Sequence, residues 1–406
     1  MINSSKINAI VAIFLLGFAI LPGWLETFDV APDSARETAL LACTLFLAGL
    51  LIGSKLTHAP RPWTVNERRA DRSDRGLRLF GFALLICTAC VLVFGPPPPV
   101  FAAAEGFDAL DTQLLREDAI KLNPNVLFVT LYSYTRDVFA PIVFVLAIEA
   151  LARRGVGAST RLLWLAFLAA AVFIGIWSGQ KATIVNYLLA TLIFVARDAR
   201  RLLLWLLIGA PVIAALTFLM FAITYPGIFD DSDQALANVL EGLVHRIYIS
   251  PFEVSVAYVD AVDNALLIHP GSVIPFFGAR LYPGPSIENL VGVQYFYSGI
   301  DSISANALCF AYAYVLGGLP MCLVSGMLTI FVLQRSANLV REGGNIFMWR
   351  AFQALVAYRL LDLMNGNFYS YLIGLVQLAV VAWLLARADL GRARRPRRPA
   401  ALLAAS

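Results

Sequence analysis

The sequence predicts an all-α polytopic membrane protein with about ten transmembrane helices, both termini in the cytoplasm and one large external loop. Three observations predict it. Of the 406 residues, 59% are hydrophobic and only 14% are charged, and the mean hydropathy is +0.74. A water-soluble chain of this size cannot hide so much apolar surface. The apolar residues gather in runs close to the ~20 residues that cross a bilayer. The connections between runs alternate in charge along the whole chain, which orients the stack.

The runs are Ile7–Trp24, Thr38–Gly53, Leu77–Gly95, Val126–Ala150, Leu162–Trp177, Ala182–Ala196, Leu202–Ile223, Ala305–Leu333, Phe347–Met364 and Phe368–Ala386. The first follows Lys6, is long for the core of a signal peptide and has no small-x-small cleavage site after it, so it reads as a span. The fifth and sixth are separated only by Ser178-Gly179-Gln180-Lys181, a tight hairpin. The eighth is long enough to tilt or to begin as a surface helix. Residues 1–223 thus hold seven spans, 224–304 the large loop, 305–386 three more spans and 387–406 a basic tail.

Every second connection is basic. One carries Lys55, Arg61, Arg68, Arg69, Arg72 and Arg75; later ones carry Arg153, Arg154 and Arg161, then Arg197, Arg200 and Arg201, then Arg335, Arg341 and Arg350. Two intervening ones are acidic, with Glu26, Asp29, Asp33 and Glu37, then Glu105, Asp108, Asp111, Glu117 and Asp118. The basic side is cytoplasmic, so the long loop lies outside. The tail, from Arg387 to Arg398, is an orientation and anionic-lipid signal more readily than a nucleic-acid site. Pro96 to Pro99 form a stiff extended exit from the third span. Phe107 to Lys121 are expected to form a helix on the outer surface.

No nucleotide fingerprint, internal repeat or metal-ligand spacing is present, so neither an ATP-driven pump nor a metal or other cofactor is expected. Cys43, Cys87, Cys90, Cys309 and Cys322 all fall in apolar runs, which implies no disulfide framework. Cys87-x-x-Cys90 has redox spacing but sits inside a span, where packing is the simpler role.

Charges inside spans are costly and therefore mark candidate sites. Arg136-Asp137 lies about ten residues into the fourth span, beside Tyr132, Tyr134 and Pro141. Arg359 and Asp362 lie in the outer half of the ninth, and Lys181 caps the outer end of the sixth. Either these are internal ion pairs that lock helices, or they face a polar cavity open to the outside.

The loop from Thr224 to Ser304 is far longer than an ordinary connection and reads as a working surface. Asp233 is a plausible N-cap, and Leu236, Val239, Leu240, Leu243 and Ile247 recur at helical spacing. Pro251 is expected to stop that amphipathic helix. Its polar side presents Glu241 and His245, one turn apart, with Arg246 adjacent. The Gly- and Pro-rich stretch around residues 269–285 reads as an ordered irregular loop. The loop holds nine acidic residues and only two basic ones, Arg246 and Arg280. Each arginine either pairs with a neighbouring carboxylate or, together with Lys181, clamps a diphosphate, whose oxygens match the guanidinium fork. Tyr282, Tyr295 and Tyr297 suit either the C–H faces of sugar rings or anchoring at the membrane interface.

At this point the chain resembles the Wzy-type O-antigen polymerases. The matching stretches are Ser178-Gly179-Gln180-Lys181, His245-Arg246-Ile247, and Ser302-Ile303-Ser304-Ala305-Asn306-Ala307 running into Tyr314-Val315-Leu316-Gly317-Gly318-Leu319-Pro320. The glycine that follows an arginine at a fixed spacing in some members is replaced here by Ala257 and Val291. The resemblance implies a GT-C-like bacterial inner-membrane glycosyltransferase with a large periplasmic loop. It implies transfer of a growing glycan from undecaprenyl diphosphate to the non-reducing sugar of a new lipid-linked repeat unit. It also implies membrane lipids and a chain-length regulator as partners, and no nucleic acid. In that chemistry Arg246, Arg280 and Lys181 would meet the diphosphate charge, with Arg359 and Arg136 as second choices. His245 would take the acceptor proton, with Glu253 and Asp362 as rivals. An O-antigen ligase shares the architecture and donor. A transporter or flippase is the non-enzyme alternative, in which the charged pairs would gate or bind a coupling ion.

Overall fold

The computed structural model describes residues 4–26, 28–56, 75–104, 115, 118–120, 123–152, 157–178, 183, 187–188, 190–191, 194, 237, 241, 245, 249–264, 273, 275–276, 279–280, 287–296, 307–342, 349, 352–353, 355–356, 372, 375–377, 379–380 and 383. They are mostly helical. The elements are α1 (Ser4–Leu25), α2 (Asp33–Leu56), α3 (Arg75–Phe94), α4 (Pro99–Ala104), α5 (Val126–Tyr134), α6 (Ala140–Ala152), α7 (Ala158–Ile176), α8 (Ser250–Asp263), α9 (Ile287–Val291) and α10 (Cys309–Glu342). A two-residue antiparallel hairpin, β1 (Pro275–Phe276) on β2 (Ala279–Arg280), departs from the all-α expectation in the Gly- and Pro-rich part of the loop.

Among the described residues, three helices are long and apolar enough to cross a membrane: Asp33–Leu56, Ala158–Ile176 and Cys309–Arg341. Leu16–Leu25 and Arg78–Phe94 are shorter apolar helices. The seventh expected span, Leu202–Ile223, lies outside the described residues. So does most of the sixth, ninth and tenth, though positions such as Tyr187, Phe352 and Leu375 are helical.

The packing is tightest between α2 and α10. Along α2 the buried residues include Ala35, Ala39, Ala42, Cys43, Phe46, Gly49 and Gly53, a stripe of mostly small side chains at helical spacing. A Cβ on Gly49 would stand 2.2 Å from the Leu323 carbonyl, and one on Gly326 would stand 2.2 Å from the Phe46 carbonyl. The two backbones therefore touch. Cys322 sits near Cys43, Gly326 against Gly49 and Met327 against Gly53, so both helices run in the same direction.

The eighth apolar run, expected to tilt or to begin as a surface helix, is fit to cross a membrane but is not straight. Its helix continues to Glu342 and breaks at Gly317 and Gly318, where φ/ψ are 177/32° and 66/−157°. In an unbroken helix residues 310 and 322 would be about 18 Å apart. Instead the Cys322 thiol lies 3.5 Å from the Phe310 carbonyl, so Cys309–Leu316 folds back against the helix that follows.

A second group consists of α3, α5, α6 and α7. Asn125 starts α5 by accepting a hydrogen bond from Phe128 N at 3.1 Å. The fourth run is one helical rod interrupted by a π turn at Thr135–Phe139. The cause is in the sequence: Pro141 has no N–H, and a wide turn one step before it relieves its clash with the preceding carbonyl. α7 packs beside α6, and its Phe167 ring fills the place of a side chain at Gly81 of α3.

Pro251 does more than the expected ending of the helix before it. It occupies the first turn of α8, where a missing N–H costs nothing, and so begins a helix. Phe252, Val256, Ala257, Tyr258, Val259 and Ala261 are fully buried, and the helix packs against α1, α2 and α10. Ser255 fastens it: its hydroxyl donates to the Pro251 carbonyl at 2.7 Å and accepts from Leu308 N at 2.9 Å, just before α10. Of the expected helix upstream, Ala237, Glu241 and His245 are described, and all three are helical and exposed.

Candidate functional site

The first turn of α8 brings together groups from distant parts of the chain. Glu253 is half-buried there, and Phe252 beside it packs on Phe28 with ring centroids 6.0 Å apart. That contact carries the connection between α1 and α2 to the same place, so Asp29 lies near Glu253. His245 also comes close, its Nδ1 at 3.4 Å from the Ser250 hydroxyl. Burial pushes the Glu253 carboxyl above its ordinary value; the His245 charge opposes this and the Asp29 charge adds to it. A half-buried carboxyl raised in this way holds a proton more tightly than a free one, which suits it to accept and return one.

Further along α8 the carboxylates meet tyrosines. Tyr295 donates to Asp260 Oδ2 at 2.9 Å, and Tyr314 donates to Asp263 Oδ1 at 2.7 Å. The Tyr258 and Tyr312 rings meet edge-on at 5.3 Å. Burial first, then the neighbouring Tyr312 and Glu288, hold the Tyr258 hydroxyl neutral far above the usual tyrosine range. Burial and the Asp260 carboxylate push Tyr295 the same way. The result is a row of neutral phenols and oriented carboxylates, the donor and acceptor types that sugar hydroxyls need. Among the described residues, no cluster of His, Cys, Asp and Glu has the geometry to hold a metal ion.

The second charged place is the π turn. Arg136 Nε and a terminal guanidinium nitrogen each donate at 2.8 Å to the two oxygens of Asp137. The guanidinium also lies over the Tyr132 ring, 5.2 Å from its centroid. Tyr132 stacks on Phe128, and both rings pack on Trp177.

The structure thus brings His245 and Glu253 together and sets Tyr295 on Asp260. It places Arg136 far along the chain from them, paired within its own turn. Only the backbone of Arg280 is described, in β2 opposite Pro275. Lys181, Arg246, Tyr282, Tyr297, Arg359 and Asp362 lie outside the described residues. Sequence reasoning did not single out Asp29, Asp260 or Asp263 as site residues. Their partners are tens to hundreds of positions away, and nothing local marks them. Trp177 and Ser178 directly follow α7.

No family model matches the chain, and neither a curated protein nor a solved structure does. What the chain itself defines is a helical protein with helices fit to cross a membrane.

Proposed function

We propose that this protein polymerises undecaprenyl-diphosphate-linked oligosaccharide repeat units at the periplasmic face of the bacterial inner membrane. It does so as a GT-C-like, multi-pass glycosyltransferase of about ten spans with cytoplasmic termini. The observation that carries the reading is the meeting of Glu253, His245 and Asp29 at the first turn of α8. The transfer needs a base at the acceptor hydroxyl, and a raised carboxyl beside an imidazole supplies one. Glu253 takes the proton while His245 and Asp29 set its affinity for it. The tyrosines and carboxylates further along α8 orient sugar hydroxyls. Arg246, Arg280 and Lys181 meet the charge that develops on the lipid diphosphate as it leaves, with Arg359 as a second choice. The shared direction of α2 and α10 supports the alternating topology, which sends both from outside to inside.

A second reading, a flippase or other transporter, is favoured by one specific observation. α10 is broken at Gly317 and Gly318, and discontinuous helices are common at transporter binding sites.

A lipopolysaccharide gel from a host strain lacking the protein separates the readings. A lipid core bearing one repeat, restored to a ladder by the gene, supports polymerisation. A core bearing no repeat at all defeats it, and points to export or ligation.

A further inference from the structure

The chain that leaves α3 has no backbone donor to spare. Gly95 N donates to the Val91 carbonyl at 2.9 Å, Val100 N to the Trp177 carbonyl at 3.2 Å and Phe101 N to the Pro98 carbonyl at 3.0 Å. Pro96 to Pro99, which stand between them, have no N–H at all. Irregular backbone ordinarily needs water or polar partners for its N–H groups. This stretch can face hydrocarbon without leaving any N–H unmet.

The same stretch walls a cavity of about 530 Å³, within the roughly 300–1,000 Å³ of small-ligand sites. Phe101 and Pro124 continue the wall. Leu115, Asp118 and Ala119 also line it; they are helical positions three and four apart, so one face of that segment turns to the cavity. Asn123 lines it with its amide engaged locally: Nδ2 donates to the Ala119 carbonyl at 3.2 Å, and Oδ1 accepts from Asn125 N at 2.8 Å. Among the described residues that line the cavity, Asp118 is the only ionisable one, and it is exposed. The polar atoms on offer are therefore chiefly acceptors, the Asp118 carboxylate and proline carbonyls.

The cavity also lies at the end of apolar helices. Arg78–Phe94 stops just before its proline wall, and the apolar run Val126–Ala150 starts just after Pro124. The Phe128 ring fills the place of a side chain at Gly95, so these two ends touch. Val93, Phe94 and Leu127 beside them, and Phe101 in the wall, are large, apolar and exposed. In a chain that crosses a bilayer, such a border faces lipid tails.

These features select one kind of occupant. A sugar needs donors as well as acceptors, and a phosphate needs donors or cations; the wall supplies neither. The surrounding sequence repels anions further, with Glu105, Asp108, Asp111, Glu117 and Asp118 against Arg116 and Lys121. An apolar chain fits the prolines and Phe101, and a primary ammonium, with three donors and a positive charge, fits Asp118. We propose that the cavity binds an aminophospholipid, its acyl chain along the proline wall and its ammonium on Asp118. Either direction of the chain through the bilayer puts this connection at a headgroup layer, so the site does not depend on the glycan reading.

The test uses the full chain purified in mild detergent. Phosphatidylethanolamine and phosphatidylglycerol with the same acyl chains are offered in equal amounts, and retained lipid is counted by native mass spectrometry. The unaltered protein should retain the ethanolamine lipid roughly fivefold over the glycerol lipid. Asp118→Asn should abolish that preference without lowering the melting midpoint. Glu37→Gln, which removes an exposed carboxylate from α2, should leave the preference intact. Leu115→Trp, which fills the cavity from an exposed position, should cut retention of the ethanolamine lipid. If that variant does not insert, Phe101→Ser, which puts a hydroxyl into the wall, takes its place. Equal retention of the two lipids by the unaltered protein, a preference that survives Asp118→Asn, or retention indifferent to the filled cavity would each overturn the site. So would preferential retention of farnesyl diphosphate that is lost in Leu115→Trp, which would give the cavity to a polyprenyl carrier. None of these outcomes bears on polymer ladders, so this site and the polymerase reading fall separately.

Discussion

The Tyr187 hydroxyl donates a 2.5 Å hydrogen bond to the backbone carbonyl of Arg136. The π turn makes that bond necessary. Ala140 N–H, which an α-helix would give to Arg136, goes to Thr135 instead, and Pro141 has no N–H to offer. The Arg136 carbonyl is therefore left without a backbone donor in either register, deep in an apolar helix. Tyr187 supplies one from the helical segment after the hairpin. Replacing Tyr187 by Phe leaves the carbonyl unsatisfied and should lower stability by about 1–3 kcal/mol. The check is the thermal midpoint of the purified variant; an unchanged midpoint would mean that another group satisfies the carbonyl.

The carboxyl of Glu253 sets a pH dependence whose sign can be worked out. Its folded value lies above the ordinary 4.5 of a glutamate carboxyl, with burial the largest cause. As a base it works only when ionised, so polymer formation in reconstituted membranes should rise with pH through a midpoint above 4.5. Asp29→Asn removes a like charge and should move that midpoint down. His245→Ala removes the opposing charge and should move it up. Glu253→Gln should abolish the activity. Linkage gives the control. A raised carboxyl contributes its stability fully below its unfolded value and loses it as pH rises through the folded one. The Gln variant, neutral at every pH, should therefore be at least as stable as the native chain at pH 7. An inactive variant that also melts earlier would speak for unfolding, not for a lost base.

How much of this was legible follows from which contacts are local. Hydropathy and charge alternation are properties of single segments, so the runs that became α2, α6 and α7 stand out without any knowledge of partners. The fate of Pro251 did not, because a proline both ends one helix and begins another, and only the buried surface of α8 decides between them. Gly49-x-x-x-Gly53 is a close-packing spacing readable in the chain, yet its partner Gly326 lies in a distant helix. The site was legible in residue type alone. Glu253 and His245 are near each other in sequence, whereas Asp29 reaches them only because Phe28 packs on Phe252. The pairs Asp260–Tyr295 and Asp263–Tyr314 span 35 and 51 positions and leave no local trace.

The α2–α10 contact gives a sharper test of packing than any apolar side chain does. A methyl group on Gly326 would stand 2.2 Å from the Phe46 carbonyl, a backbone atom that cannot turn aside. Gly326→Ala must force the helices apart and should cost about 1–3 kcal/mol or more. Gly17, in α1, has nothing within 4 Å of the same built atom. Gly17→Ala should be neutral or stabilising by up to about 1 kcal/mol, since Gly is the weaker helix former. Melting the two variants side by side decides it, and equal midpoints would contradict the contact.

The break in α10 predicts an asymmetry between two adjacent glycines. Gly317, with φ of 177°, has extended backbone that any residue adopts, and a Cβ there would meet only the Met321 side chain at 3.2 Å. Gly318, at φ 66° and ψ −157°, occupies a region essentially reserved for glycine. A side chain there is strained whatever the space around it, and Pro320 two residues later prevents the chain from recovering a regular helix through the break. Gly318→Ala should therefore cost about 1–3 kcal/mol, while Gly317→Ala should cost clearly less. The loss should be accompanied by separation of Cys309–Leu316 from the helix it folds against, because the turn at Gly318 is what brings the Phe310 carbonyl to Cys322. Thiol labelling of Cys322 reports that separation directly: it should quicken in Gly318→Ala and stay slow in Gly317→Ala. Equal stability and equal labelling in the two variants would mean that the chain does not reverse at Gly318.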